Sequence, residues 1–181
     1  MQRGPTVITV RGGGGSGGGI DCCCCRCCTC VNLDFLRTEH GVLKLTEVIL
    51  GFFCQSLALN YGIKYASTIG PSFQSFITTA SWCFMTSFLL LFCYFFSEKS
   101  VSLIRQSLFE TVFNGIACFS YVTSCSYLGY AVNTFLEPMY LVTPYFQVYP
   151  AMSAAYMVGT FLGVIYGYDT YKSYRYFKGY R

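Results

Sequence analysis

Charge is what this sequence has least of. Only 11% of its 181 residues are Asp, Glu, Lys or Arg, against 54% hydrophobic and 19% aromatic. A soluble domain carries about 25% charged residues, which it uses to solvate its surface. With less than half that proportion, the chain is not expected to fold as a water-soluble globule. Histidine is equally scarce: His40 stands alone, with no Ser or Cys at catalytic spacing, and reads as a polar flank, not a base. The cysteines lack a second spaced Cys/His pair of the kind that closes a zinc site. Residues 1–21 have no apolar core ahead of their glycine run, so no cleavable signal peptide is expected and the first apolar block would itself lead insertion.

What the chain does have is four apolar blocks, at about 41–60, 72–96, 108–132 and 148–168. A helix of 20 residues is about 30 Å long, the thickness of a bilayer's hydrocarbon core. The fold expected is therefore all-α. It consists of a disordered Gly/Cys-rich arm over 1–35, a four-helix transmembrane bundle over 36–171 and a short basic aromatic tail over 172–181. The connections are too short to hold a folded domain, so catalysis outside the membrane has nowhere to sit and no cofactor is expected. The first and third connections contain no cysteine, unlike the disulfide-held outer loops of tetraspanin-like and claudin-like proteins.

Eleven of the twelve Lys and Arg fall on one side if the N-terminus is inside, with Lys64 alone opposite. By the positive-inside rule both termini should be cytoplasmic. That orientation bears on Cys22, Cys23, Cys24, Cys25, Cys27, Cys28 and Cys30, which crowd one stretch just before the first block. Adjacent cysteines pair poorly in disulfides, because their Cβ vectors point apart. Cytosolic thiols beside a membrane need nothing more to be S-acylated, and that is the expectation here; metal binding and unmodified thiols are the competing readings. The glycine run from Gly12 to Gly19 is a tether, since no Lys-Ser/Thr follows to make a phosphate loop.

Ionisable residues inside a membrane are functional candidates. Lys44, Glu47, Glu110 and Asp169 all fall toward the cytoplasmic leaflet, whereas a transporter wants its binding groups at mid-depth. Lys44 with Glu47, and Glu110 with Asn114, each share a helix face; together they read as a structural polar lock. Gln55 should make a hydrogen bond between helices, and Cys54, Cys83, Cys93, Cys118 and Cys125 read as small buried residues. In the fourth block Ala151, Ala155, Gly159, Gly163 and Gly167 recur every fourth residue, a flat stripe that lets another backbone approach closely. Its partner is a helix of the same chain or of another copy, with the former favoured. The tail cations Lys172, Arg175, Lys178 and Arg181 alternate with aromatics. Directly after a span they read as an anchor on anionic lipid, not a nucleic-acid surface.

Three stretches together resemble the MARVEL-domain family, in the style of its chemokine-like-factor-like transmembrane branch. They are Gly41 to Gly51 (GVLKLTEVILG), Phe109 to Asn114 (FETVFN) and Ala154 to Asp169 (AAYMVGTFLGVIYGYD). The resemblance covers about residues 36–171 and leaves the glycine arm and cysteine run outside it. It implies a multi-pass protein of the plasma membrane or of vesicles, without catalytic residues. Such a protein would act in vesicle trafficking, membrane apposition or cell–cell fusion such as that of myoblasts. Its partners would be cholesterol-rich membrane, other membrane or trafficking proteins, and further copies of itself. The alternatives are a small channel or transporter subunit, using Thr78 and Thr79 of the second block, or a receptor-associated adaptor.

Overall fold

The computed structural model describes residues 33–97, 101, 103–104, 107–143 and 145–179. The cysteine run, the glycine arm and Arg181 lie outside the described residues.

A short helix α1 (Leu33–Arg37) turns at Thr38 into α2 (Glu39–Leu57). The Thr38 hydroxyl donates to the Phe35 carbonyl at 2.6 Å and accepts the Gly41 amide at 3.2 Å, so one side chain closes α1 and caps α2. Gly41 is required at this corner, because a Cβ there would lie 2.1 Å from the Phe35 carbonyl oxygen.

The first block does not stop near residue 60 as expected. A π-helical turn (Ala58–Gly62) and a 3₁₀ turn (Ile63–Tyr65) carry the chain into α3 (Ala66–Ile69), making one continuous rod over Glu39–Ile69. The first sequence feature that ends the helix outright is Gly70, at φ +56, followed by Pro71 at the start of α4 (Pro71–Phe96). The expected connection over 61–71 is therefore mostly helix. In the same way α5 (Leu108–Ala131) continues through a π turn (Val132–Leu136) into α6 (Glu137–Val142). The last helix, α7 (Val148–Phe177), absorbs most of what was expected to be tail.

By length and composition three helices qualify as candidate membrane spans: Glu39–Ile69, Pro71–Phe96 and Val148–Phe177. Helix α5, expected as the third of four spans, is long enough but not apolar enough. Its buried face carries Glu110, Asn114, Tyr121 and Ser124, while Phe109, Val112, Ile116, Phe119, Val122 and Tyr130 face outward. Its polarity is thus turned toward its neighbours. The outward hydroxyls of Thr123 and Ser126 bond back to the carbonyls of Phe119 and Val122, at 3.0 and 2.7 Å.

Helix α5 runs antiparallel to α7: Asn114 meets Asp169, Tyr121 stacks on Tyr166, Cys125 faces Gly159 and Gly129 faces Tyr156. Helix α2 packs against both α4 and α7, and α4 against α5. Cys54, Phe76, Ala80, Cys83, Ala117, Leu128, Ala155 and Leu162 fill the centre. Ile49, Phe52, Leu89, Phe92, Phe161 and Val164 dress the outside, an apolar surface that suits lipid and not water.

Candidate functional site

Near the end of the bundle where α2 begins, the four long helices direct their polar side chains at one point. Lys44 leaves the inner face of α2 one turn before Glu47, and its Nζ lies 3.0 Å from Glu47 Oε2. The same nitrogen donates to Asn114 Oδ1 at 2.8 Å and to Asp169 Oδ2 at 2.8 Å, and stands 3.5 Å from Glu110 Oε1. Asn114 Nδ2 in turn donates to Asp169 Oδ2 at 2.7 Å, so the Asn amide ties the cation and the anion together. Ser87 of α4 donates to Glu47 Oε2 at 3.0 Å and shares a hydrogen bond of 2.9 Å with the Tyr166 hydroxyl. The Lys44 ammonium also sits 5.6 Å from the centre of the Phe113 ring. Lys44 is 1% exposed and Glu47 not at all.

One ammonium here faces three carboxylates, so this is a network and not a set of pairs. Desolvating each ion costs several kcal/mol, which hydrogen bonds and opposite charge must offset. Every long helix contributes to the offset, and a helix displaced by a turn would leave a charge uncompensated.

The four residues expected in the polar lock, Lys44, Glu47, Glu110 and Asn114, are brought to this one point. Helical spacing alone shows them as two pairs and does not point to three further participants. Asp169 is ionisable in the sequence, yet nothing adjacent to it names its partners. Its signal was its register, since Tyr166, Leu162 and Ala155, also buried, precede it on the same face of α7. Ser87 and Tyr166 carried no signal of their own. His40, read as a flank, has Nδ1 3.8 Å from Asp169 Oδ1, beyond hydrogen-bonding distance but close enough to feel the charge.

The small-residue stripe of α7 lies mainly along α5. A Cβ on Gly159 would meet Cys125 Sγ at 2.6 Å, one on Gly163 would meet Tyr121 Cβ at 3.2 Å, and one on Gly167 would meet Cys118 Sγ at 3.2 Å. Ala155 is fully buried and its carbonyl receives the Cys54 thiol at 3.8 Å, while Ala151, at the end of the stripe, is half-buried. Of the single cysteines, Cys54, Cys83 and Cys125 are buried and Cys118 half-buried; Cys93 instead faces outward, because it falls on the lipid-side face of α4. The Gln55 side-chain oxygen is buried and has no hydrogen-bond partner among the described residues, contrary to the expected interhelical bond.

The tail cations form a ladder on the last turns of α7. Lys172, Arg175 and Lys178 each lie over the ring four residues before, Tyr168, Tyr171 and Tyr174, at 5.6, 5.9 and 4.9 Å. Lys172 also pairs with Glu39, linking the last helix to the start of α2.

The MARVEL family, described as a membrane-associating domain, matches residues 35–172. Protein singles bar of Drosophila melanogaster is 47% identical over 156 residues, which cover 86% of this chain and 89% of that protein. No solved structure matches the chain.

Proposed function

Because this chain belongs to the MARVEL family of membrane-associating proteins, we propose that it is a non-enzymatic organiser of membrane, crossing the bilayer four times with both ends in the cytosol. The observation that carries this reading is the buried network joining all four long helices at one depth. It is built from the protein's own side chains and lies toward one end, so it fixes the shape of the bundle and is not placed at the mid-depth where a transported solute would bind. The fourth crossing is α5. Its charges are buried in the network and its outward Thr123 and Ser126 hydroxyls are satisfied by backbone, which meets the requirement that lipid places on polar groups. The excess of Lys and Arg on the network side supports that side as cytosolic.

In this role the outer belt of aromatic and aliphatic residues selects the surrounding lipid. The ladder of Arg175 and Lys178 meets anionic headgroups, each cation contributing about 1 kcal/mol. An acylated Cys22–Cys30 run would hold the arm to the same leaflet, each buried CH₂ adding about 0.8 kcal/mol. The settings we put forward are vesicle trafficking and membrane apposition, including cell–cell fusion such as that of myoblasts. The test is depletion in fusing myoblasts, followed by rescue with the intact chain or with Lys44→Met. Loss of fusion on depletion, rescued by the first and not the second, is expected; fusion and vesicle distribution unchanged on depletion would refute the reading. Ion flux through reconstituted vesicles, abolished by Thr78 or Thr79 substitution, would favour a channel instead.

A further inference from the structure

The outward face of α4 carries polar side chains that lipid cannot satisfy. Gln74, Thr78, Ser81 and Met85 follow one another at spacings of four, three and four residues, which places them on one stripe of the helix. The stripe points away from the bundle, since Phe76, Ala80, Cys83 and Ser87 on the opposite side of α4 are fully buried. Gln74 and Thr78 are exposed, Ser81 is half-buried and Met85 is 55% exposed. Thr78 and Ser81 lie about two and three turns inside a helix that qualifies as a membrane span.

Outward hydroxyls elsewhere in the bundle are satisfied within their own helix. Thr123, Ser126, Thr134 and Thr160 each donate to the carbonyl four residues before, at 3.0, 2.7, 2.8 and 2.8 Å. Thr86 of α4 does the same to Trp82, at 2.8 Å. Gln74, Thr78 and Ser81 make no side-chain hydrogen bond among the described residues. Hydrocarbon has neither donor nor acceptor to offer them, so the stripe is matched to a partner that carries both.

The groups themselves indicate which partner. The Gln amide both donates and accepts, and so does each hydroxyl. The stripe is therefore its own complement, the property of a two-fold interface, in which one patch meets itself. Two copies inserted in the same direction set α4 parallel to its counterpart, and a four–three–four spacing is that of the seam between two such helices. Between Ile77, Trp82 and Met85 the smaller Thr78 and Ser81 leave a shallow hollow of about 430 Å³. A facing helix can approach closely there, as interhelical hydrogen bonds require. The small-residue stripe of α7 is already occupied by α5 and is not open to a second copy.

We propose that two copies of this chain pair within one membrane through the Gln74, Thr78, Ser81 and Met85 face of α4. This rests on the reading above that α4 crosses lipid, and it gives that reading a defined assembly.

The intact chain, with p-benzoylphenylalanine in place of Met85, is reconstituted in phosphatidylcholine vesicles at high lipid-to-protein ratio and irradiated. A covalent dimer on denaturing gels is expected, and none from the same probe at Phe161, which faces outward from α7. No dimer from position 85, whatever else the probe captures in cell membranes, would overturn the proposal; equal yields from 85 and 161 would overturn it as well. In the chain without the probe, Thr78→Val with Ser81→Ala removes both hydroxyls with little change of size. Association, read by energy transfer between labelled copies in the same vesicles, should weaken about tenfold, the scale of a few interhelical hydrogen bonds in lipid. Both side chains lie on the outward face, so helix content by circular dichroism should stay the same, and unchanged association would count against this face. Resistance to alkaline carbonate extraction checks the underlying reading separately. Extraction would remove the membrane reading itself, whereas a retained chain with no cross-link would remove the pairing alone.

Discussion

Replacing Lys44 with Met tests whether the buried network holds the bundle together. Methionine keeps most of the side chain's length and flexibility, so packing changes little and the charge is what is lost. The ammonium makes three contacts of 3.0 Å or less, to Glu47, Asn114 and Asp169, and a fourth at 3.5 Å to Glu110. Without it, three carboxylates remain together, each almost completely buried. Removing one partner of a buried ion pair costs about 3–5 kcal/mol, because the other charge stays buried and uncompensated. That is a large part of the total stability of a domain. Thermal or denaturant unfolding of the intact chain in detergent micelles, followed by far-ultraviolet circular dichroism, measures the loss. The variant Lys44→Met with Asp169→Asn should recover part of it, since neutralising one orphaned carboxylate removes one source of the cost. A Lys44→Met loss below about 1 kcal/mol, the range of surface ion pairs, would refute the reasoning and make the network incidental to the fold.

Ser87→Ala removes the hydroxyl between Glu47 and Tyr166; leaving buried polar groups unsatisfied should cost about 1–3 kcal/mol in the same unfolding assay. Gly159→Val puts a side chain where a Cβ alone would lie 2.6 Å from Cys125 Sγ, and a loss of about 1–3 kcal/mol from overpacking is expected. The same loss in Gly159→Val and in Gly159→Val with Cys125→Ala would show that the thiol is not the obstacle. Conversion of Cys22, Cys23, Cys24, Cys25, Cys27, Cys28 and Cys30 to Ser should abolish acyl-exchange labelling; absence of labelling in the native chain would remove the lipid anchor.

The extent to which the molecule was legible in its sequence follows from what each signal encodes. Block length encodes the presence of long helices, and α2, α4, α5 and α7 lie where apolar residues accumulate. Block ends were harder. Gly62 and Lys64 suggest a boundary, yet the helix accommodates both by shifting to π and then 3₁₀ turns, with Phe73 and Met152 packed around Gly62. The Lys44–Glu47 pair could be read because i and i+3 share a face whatever the tertiary structure. Ser87 and Tyr166 could not, because their roles depend on how far α4 and α7 are rotated and shifted against α2. A single sequence carries no measure of that offset.

Helix α5 shows why hydropathy and function pull against each other in such a bundle. Glu110 and Asn114 lower its mean hydropathy, and the hydroxyls of Tyr121, Thr123, Ser124 and Ser126 lower it further. Averaged hydropathy therefore leaves it outside the three helices that qualify as candidate spans. Yet Glu110 and Asn114 are where its contribution to the network lies, and Tyr121 is where α7 stacks on it. A helix that supplies two of the groups meeting one buried cation has to carry polarity somewhere, and in lipid that polarity is tolerable only on the side its neighbours cover. The exposed face of α5 bears this out: Phe109, Val112, Ile116 and Phe119 follow one another at helical spacing with no charged residue between them on that face. Averaging over all faces of the helix erases this separation. The property that decides whether such a helix can stand in lipid is the polarity of its outward stripe, and the proposed fourth crossing by α5 rests on that stripe and not on the average.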